Sequence, residues 1–295
     1  MTTVEEHRSI WADLVTVPFT QGFVDVGGVR TRYVQAGPVD KPAVVMIHGT
    51  MGHWETFCSN IPEFSKTKNC IAYDMLGSGF SAKPDLPYEI PTYAKHLGGL
   101  MDVLGVESAS LIGVSLGAWV AVRFAHDYPD RTENLVLMST TGLYSDPATM
   151  QNIKASRSRV VDDPSWENCT AIIRNLVLDE KNCIPDMVRV RQLSYMEPGV
   201  KESADRILQL QDPTVRARNN LTEGEWRSIK TRTLLVAAPS SDDIYLDTTR
   251  KVIKILPNAE LAEIDDVGHW PHFEQPDEFN RVALAFLAEG ERAGR

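Results

Sequence analysis

The stretch Gly113-Val114-Ser115-Leu116-Gly117 limits what this chain can fold into more than any other. Ser108 to Ile112, just before it, is short and mostly apolar, the pattern of a buried strand. Ala118 to Ala125, just after it, reads as a helix with small residues at Ala118, Ala121 and Ala125. A serine between strand and helix, with glycine two residues away on each side, predicts a sharp turn that displays the hydroxyl at the end of a sheet. The serine backbone is strained there. A Cβ at either flanking position would crowd the incoming strand against the outgoing helix, so glycine is expected at both. A serine held in that way is a candidate nucleophile, which needs a base and an acid further along the chain, in the order Ser, Asp/Glu, His.

Two later segments can supply them. Thr233-Leu234-Leu235-Val236-Ala237-Ala238 has a buried-strand pattern and runs into Pro239-Ser240-Ser241-Asp242-Asp243. Glu260 to Ile264 precedes Asp265-Asp266-Val267-Gly268-His269-Trp270. Both candidates therefore follow the C-terminal end of a strand, where open α/β sheets place ligands and catalytic groups. Of the seven histidines, His7 lies in a polar N-terminal segment, His96 and His126 lie within helix patterns, and His53 and His272 sit near helix starts. His48 follows a strand in a different motif. His269, in a loop preceded by glycine, is the expected base. His269-x-x-His272 lacks the further ligand motif that a metal site would need. The acid is Asp242 or the adjacent Asp243, because Asp265 and Asp266 are too close to His269 along the chain to orient it.

Three more stretches carry a resemblance. Val44-Val45-Met46-Ile47-His48-Gly49-Thr50-Met51-Gly52 is similar to the strand and His-Gly oxyanion loop of the α/β-hydrolases. Asp74-Met75-Leu76-Gly77-Ser78-Gly79-Phe80-Ser81 resembles that family's Asp-x-x-Gly-x-Gly-x-Ser turn. Leu234 to Asp242 resembles its Leu-Leu-Val-x-x-Gly-x-x-Asp segment, with Pro239 where glycine is usual. The family position is what favours Asp242. The similarity spans Gly22 to Gly142 and resumes from Lys230 to the end. It implies an α/β-hydrolase fold with a mostly parallel central sheet, helices on its flanks and an inserted helical cap. Residues 1–142 and 228–295 would form the core and 143–227 the cap.

The strand pattern agrees. Phe23 to Val26 and Val29 to Val34 straddle Gly27-Gly28 as an opening hairpin, and strands ending at Ile47, Asp74, Ile112 and Met138 alternate with helix-length segments. From Leu143 to Arg227 only amphipathic stretches occur, at 171–178, 186–196 and 201–210, and strands resume at Thr233. Composition narrows the function classes. A net charge of −10 with no basic cluster argues against nucleic acid. No apolar run approaches the roughly 20 residues that cross a bilayer. The polar, acidic N-terminus does not fit a secretory signal, and four scattered cysteines are simplest as reduced thiols, so the expected compartment is the cytoplasm. The expected partner is a small-molecule substrate; a homo-oligomer is left open.

The resemblance implies a mechanism without cofactor or metal. His269 would take the Ser115 proton, Asp242 would fix the imidazole tautomer, and the backbone N–H groups of Thr50 and Leu116 would bind the oxyanion. A serine nucleophile excludes the branches in which aspartate occupies this turn. Within the family the chain looks most like the hydrolases that cleave a C–C bond in ring-fission products of aromatic catabolism. Trp270 follows the histidine as in that group. Met187 to Gln192 resembles the segment whose arginine meets the acidic end of the substrate, here Arg191, with Gly49 in the loop beside the nucleophile. Val114 departs from the asparagine common before the serine, and Thr50-Met51-Gly52 is shorter than the usual Ser-Gly-Pro-Gly loop. A carboxylesterase, lactonase or thioesterase reading therefore stands beside the C–C one. A purely ligand-binding role is a third reading, one that would have no use for a triad.

Overall fold

A computed structural model of the protein describes residues 8–241 and 243–293, so His7 and Asp242 lie outside the described residues. The core is one eight-stranded sheet in the order β1-β2-β4-β3-β5-β6-β7-β8. Its strands are β1 (Phe19–Val26), β2 (Val29–Ala36), β3 (Ala43–Ile47), β4 (Asn69–Tyr73), β5 (Ala109–Val114), β6 (Thr132–Met138), β7 (Arg232–Ala237) and β8 (Ala259–Glu263). β1 and β2 form an antiparallel hairpin, β2 meets β4 antiparallel, and every pairing from β4 to β8 is parallel. Burial follows from this arrangement. β3, β4 and β5 are buried at every residue, as strands covered on both faces must be, whereas β1 and β8, at the edges, are almost entirely exposed or half-buried.

The helices are α1 (Ile10–Leu14), α2 (Ile61–Phe64), α3 (Ile90–Val103), α4 (Leu116–Asp127), α5 (Pro147–Asp162), α6 (Trp166–Arg174), α7 (Pro185–Tyr195), α8 (Val200–Ile207), α9 (Pro213–Asn219), α10 (Glu223–Ser228), α11 (Ile244–Val252), α12 (Pro271–Glu274) and α13 (Pro276–Ala293). α5 to α10 fall between β6 and β7, in a stretch without a strand. Local chemistry starts and stops them. Asp146 caps α5 by accepting from the Thr149 N–H, and Ser165 caps α6 through Asn168. Thr222 and Glu225 close a capping box on α10. α6 ends at Arg174, earlier than the amphipathic stretch 171–178 suggests, and its C-cap is Asn175. Among the described residues no helix is long and apolar enough to cross a membrane.

Parallel pairing brings the C-terminal ends of β3, β5, β6, β7 and β8 to one edge of the sheet. The loops that leave those ends carry Gly49, Ser115, Ser139, Asp243 and His269. The helical stretch after β6 meets the same edge through the Ser203 hydroxyl, which donates to the Gly77 carbonyl at 2.7 Å.

Candidate active site

Ser115 has φ 56° and ψ −117°, a conformation costly for a residue with a Cβ. Close packing enforces it. A Cβ on Gly113 would lie 2.4 Å from the Gly117 carbonyl oxygen, and one on Gly117 would lie 2.0 Å from that of Ile47. Both obstacles are backbone, so neither can yield to a side chain. The Ser115 N–H donates to the Met138 carbonyl at 3.0 Å, which ties the turn to β6. Leu116 is the first residue of α4, so its N–H belongs to the helix turn that has no internal acceptor.

The loop after β3 is braced from below. The Met75 N–H donates to His48 Nε2 at 2.9 Å, so Nδ1 carries the proton and donates to the Gly49 carbonyl at 2.7 Å. Burial drives the His48 pKa down to about 3, which keeps this neutral tautomer. Met51 takes φ 52° in the same loop. The Asp-x-x-Gly-x-Gly-x-Ser turn proves to be part of this brace. Asp74 accepts from the Trp54 and Phe80 N–H groups at 2.8 Å each and from Arg32 at 3.1 Å. Arg32 also pairs with Glu55, which holds His53 at 2.9 Å.

One cavity of about 720 Å³ joins the proposed groups: Gly49, Thr50, Ser115, Arg191, His269 and Trp270 all line it. His269 is half-buried, and burial lowers its pKa to about 4, with the Asp243 charge acting upward and the Arg157 charge downward. The Ser139 hydroxyl donates to the His269 carbonyl at 2.8 Å and so fixes the loop to the end of β6. Asp243 caps α11, accepting from the Tyr245 and Leu246 N–H groups at 2.9 and 3.0 Å. It is the described carboxylate whose charge bears on His269.

Arg191 is 1% exposed, although helical spacing alone would allow a solvated face. It donates to the Met51 carbonyl at 2.9 Å, and its Nε has no acceptor. Its guanidinium lies 5.8 Å from the Trp270 ring and 6.0 Å from that of Tyr195. No carboxylate among the described residues pairs with it.

Three groups were missed by sequence reasoning. The ring of Tyr245 stands edge-on to His269 at 4.5 Å, and its hydroxyl shares a hydrogen bond with the Ser115 side chain. Glu274 accepts from the N–H groups of Gly268 at 2.6 Å and Leu178 at 2.7 Å, joining the histidine loop to the helical stretch. Arg157 is buried on α5 and lines the cavity. Of the three, only Arg157 left a signal, because it sits on the stripe Met150, Ile153, Arg157 and Val160, where spacing calls for apolar residues.

The profile of the α/β-hydrolase fold family matches residues 42–276. The chain belongs to that family. The 2-hydroxy-6-oxononadienedioate/2-hydroxy-6-oxononatrienedioate hydrolase of Comamonas testosteroni is 30% identical over 258 residues, which cover 84% of this chain and 88% of that one. The 2-hydroxymuconate semialdehyde hydrolase of Pseudomonas sp. (strain CF600) is 29% identical over 274 residues, covering 90% and 93%. Among solved structures, the meta-cleavage product hydrolase CumD of Pseudomonas fluorescens IP01 superposes with a TM-score of 0.78 at 25% identity, over 93% of this chain and 99% of that one. Within the α/β-hydrolase family, then, the relatives of this hydrolase include enzymes named for ring-fission products.

Proposed function

We propose that this hydrolase cleaves a C–C bond in an anionic 2-hydroxy-6-oxo-dienoate, a product of aromatic ring fission. The observation that carries the reading is Arg191: a guanidinium buried in the Ser115 cavity with no carboxylate partner among the described residues and an unused Nε. Burying such a charge without a partner costs several kcal/mol, roughly, and a substrate carboxylate removes that cost on binding. A short neutral ester offers nothing in exchange.

The roles follow from position. With Arg191 and Trp270 holding the acid end, the remote carbonyl is set over Ser115. Ser115 bonds to the carbonyl carbon as its proton passes to His269, and the oxyanion takes the N–H groups of Thr50 and Leu116. The C–C bond then breaks. Its electrons move into the conjugated chain, where the 2-oxo tautomer of the substrate accepts them, and the proton that His269 took from Ser115 completes the dienol acid and leaves the imidazole neutral. Water, deprotonated by His269, releases the acyl group as a second acid. Tyr245 positions the Ser115 hydroxyl. The acid of the triad comes from the Asp242–Asp243 pair, and the charge that Asp243 exerts on His269 supports Asp243.

The test is direct. Purified protein is mixed with 2-hydroxy-6-oxononadienedioate and, separately, with a short neutral p-nitrophenyl ester. Bleaching of the coloured dienoate with kcat/KM at least about 100-fold above the ester is expected, on the strength of one well-placed charge-assisted contact at roughly 2–4 kcal/mol. Ester turnover without dienoate turnover would overturn the C–C reading. No adduct with a fluorophosphonate would remove Ser115 as nucleophile.

A further inference from the structure

We propose that the cavity is built for a dianion, with Arg157 as the specificity-determining residue for a second acid group on the acyl side of the substrate. This rests on the proposed C–C hydrolase reading and names its substrate class. Arg157 is 7% exposed, yet its Nε has no acceptor, and among the described residues neither a carboxylate nor a carbonyl takes its other N–H groups. Its place on α5 sharpens the point. It stands seven residues after Met150 and three before Val160, both buried, so the helix turns Arg157 inward where leucine would stabilise the packing.

Two guanidinium groups without a carboxylate among the described residues thus line one cavity, from two different helices. Arg191 is tied to Met51 and lies by Trp270, and its charge bears on His48 and His53. Arg157 comes from α5 and lines the same cavity, where its charge bears on His269 and Tyr245. The Arg191 charge reaches Arg157: burial lowers the Arg157 pKa, and after the opposing influence of Tyr195 the Arg191 charge lowers it further. One carboxylate neutralises one guanidinium and leaves a second buried charge unpaired. Two carboxylates, one at each end of the scissile carbonyl, neutralise both. Arg216, another buried arginine nearby, is already engaged: it donates to Thr141 at 2.6 Å and to the Leu210 carbonyl, and it stacks on Trp119 at 4.5 Å. Its Nε is also without an acceptor, but Arg216 is not among the residues lining the cavity of about 720 Å³, so the two guanidinium groups that a ligand there would meet are those of Arg157 and Arg191. Ring-fission products fall into two chemical classes on this criterion. Those with an alkyl, aryl or formyl acyl side carry one carboxylate, and those with an acidic side chain carry two.

Binding is measured by calorimetry with the Ser115→Ala protein, which holds ligand without turning it over. The ligands are 2-hydroxy-6-oxononadienedioate and its half-ester, in which the carboxylate remote from the 2-hydroxy group is capped as a methyl ester. The diacid is expected to bind at least tenfold tighter. Arg157→Gln in the same background should abolish that preference while changing the Kd for the half-ester less than threefold, and Arg157→Lys should restore part of the preference. Retention of the thermal transition by each variant shows that the fold survives. Equal affinities for diacid and half-ester, or an equal loss for both on Arg157→Gln, would overturn the proposal. Cleavage by the unmodified enzyme is scored apart from binding. Diacid preference without cleavage condemns the C–C reading alone, and cleavage without preference condemns the role of Arg157 alone.

Discussion

Replacing Arg191 by methionine should move activity and stability in opposite directions. The substitution removes the donor to the Met51 carbonyl at 2.9 Å, a hydrogen bond from a charged group that is worth roughly 1.5–3 kcal/mol. It also removes contacts with the Trp270 and Tyr195 rings at 5.8 and 6.0 Å, close to the limit of about 6 Å at which such pairs matter, so about 0.5–1 kcal/mol. Against these losses stands the desolvation of a guanidinium that is 1% exposed and lacks a carboxylate, a penalty of several kcal/mol. Methionine fills much of the same volume without that penalty. The unliganded variant is therefore expected to be as stable as the parent or more so by roughly 1–3 kcal/mol, a rise of about 2–5 °C in Tm for a chain of this size. Catalysis should suffer. Loss of the anchor misplaces the carbonyl over Ser115, so kcat/KM for an anionic dienoate should fall by roughly 2–4 kcal/mol, about 30- to 800-fold, while a neutral ester changes less than about threefold. Differential scanning calorimetry and dienoate bleaching read the two quantities. A drop of several degrees in Tm together with equal losses on both substrates would refute the reasoning and make Arg191 a structural residue of the helical stretch.

Four further outcomes are expected. Ser115→Ala and His269→Ala should each lower kcat by about 10⁴ or more, without additivity in the double variant, because the two act on one proton transfer; Ser115→Ala within tenfold of the parent would remove the nucleophile. Asp243→Asn should cost more in kcat than Asp242→Asn if Asp243 is the carboxylate that orients His269, and the reverse ranking would return the role to Asp242. Gly117→Ala puts a Cβ 2.0 Å from the Ile47 carbonyl oxygen, so it should destabilise by roughly 3 kcal/mol or more in urea unfolding, and an unshifted midpoint would contradict the packing of the turn. The base must be neutral, and burial holds His269 at about 4, so kcat/KM should stay level through pH 6.5 and fall only as pH drops through about 4 to 5; a limb near 6.5 would mean a solvated imidazole.

The sequence was informative where one residue type alone can occupy a position. Gly113 and Gly117 are such cases, since each faces a backbone oxygen that no substitution could move, and they make the strand-serine-helix turn readable from five letters. The buried parallel strands were readable for a related reason. β3 and β5 are covered on both faces and so appear as continuous apolar runs. The acid was harder to read. Asp242 and Asp243 are adjacent, and choosing between them depends on the path of the loop after β7, where Pro239 replaces the usual glycine. What that pattern could not contain is charge at long range. Tyr245 reaches Ser115 across 130 residues of chain, and Glu274 joins its own loop to residues 96 positions away. Neither has a local spacing that marks it.

Arg157 is intermediate between these cases, and its logic ties the site together. On sequence, an arginine at 157 is one solvated charge among many on a helix of mostly polar residues. Once α5 packs against α6 and α8, the same charge becomes a buried cation acting on His269. That charge helps to keep the imidazole neutral while the cavity is empty, so the base is ready over a wide pH range. An anion paired with Arg157 would oppose it on binding and let His269 hold a proton more readily at the moment it must take one from Ser115. Loss of Arg157 should therefore alter the pH dependence of kcat as well as affinity for a diacid, whereas loss of Arg191, whose charge bears on His48 and His53, should leave that pH dependence unchanged.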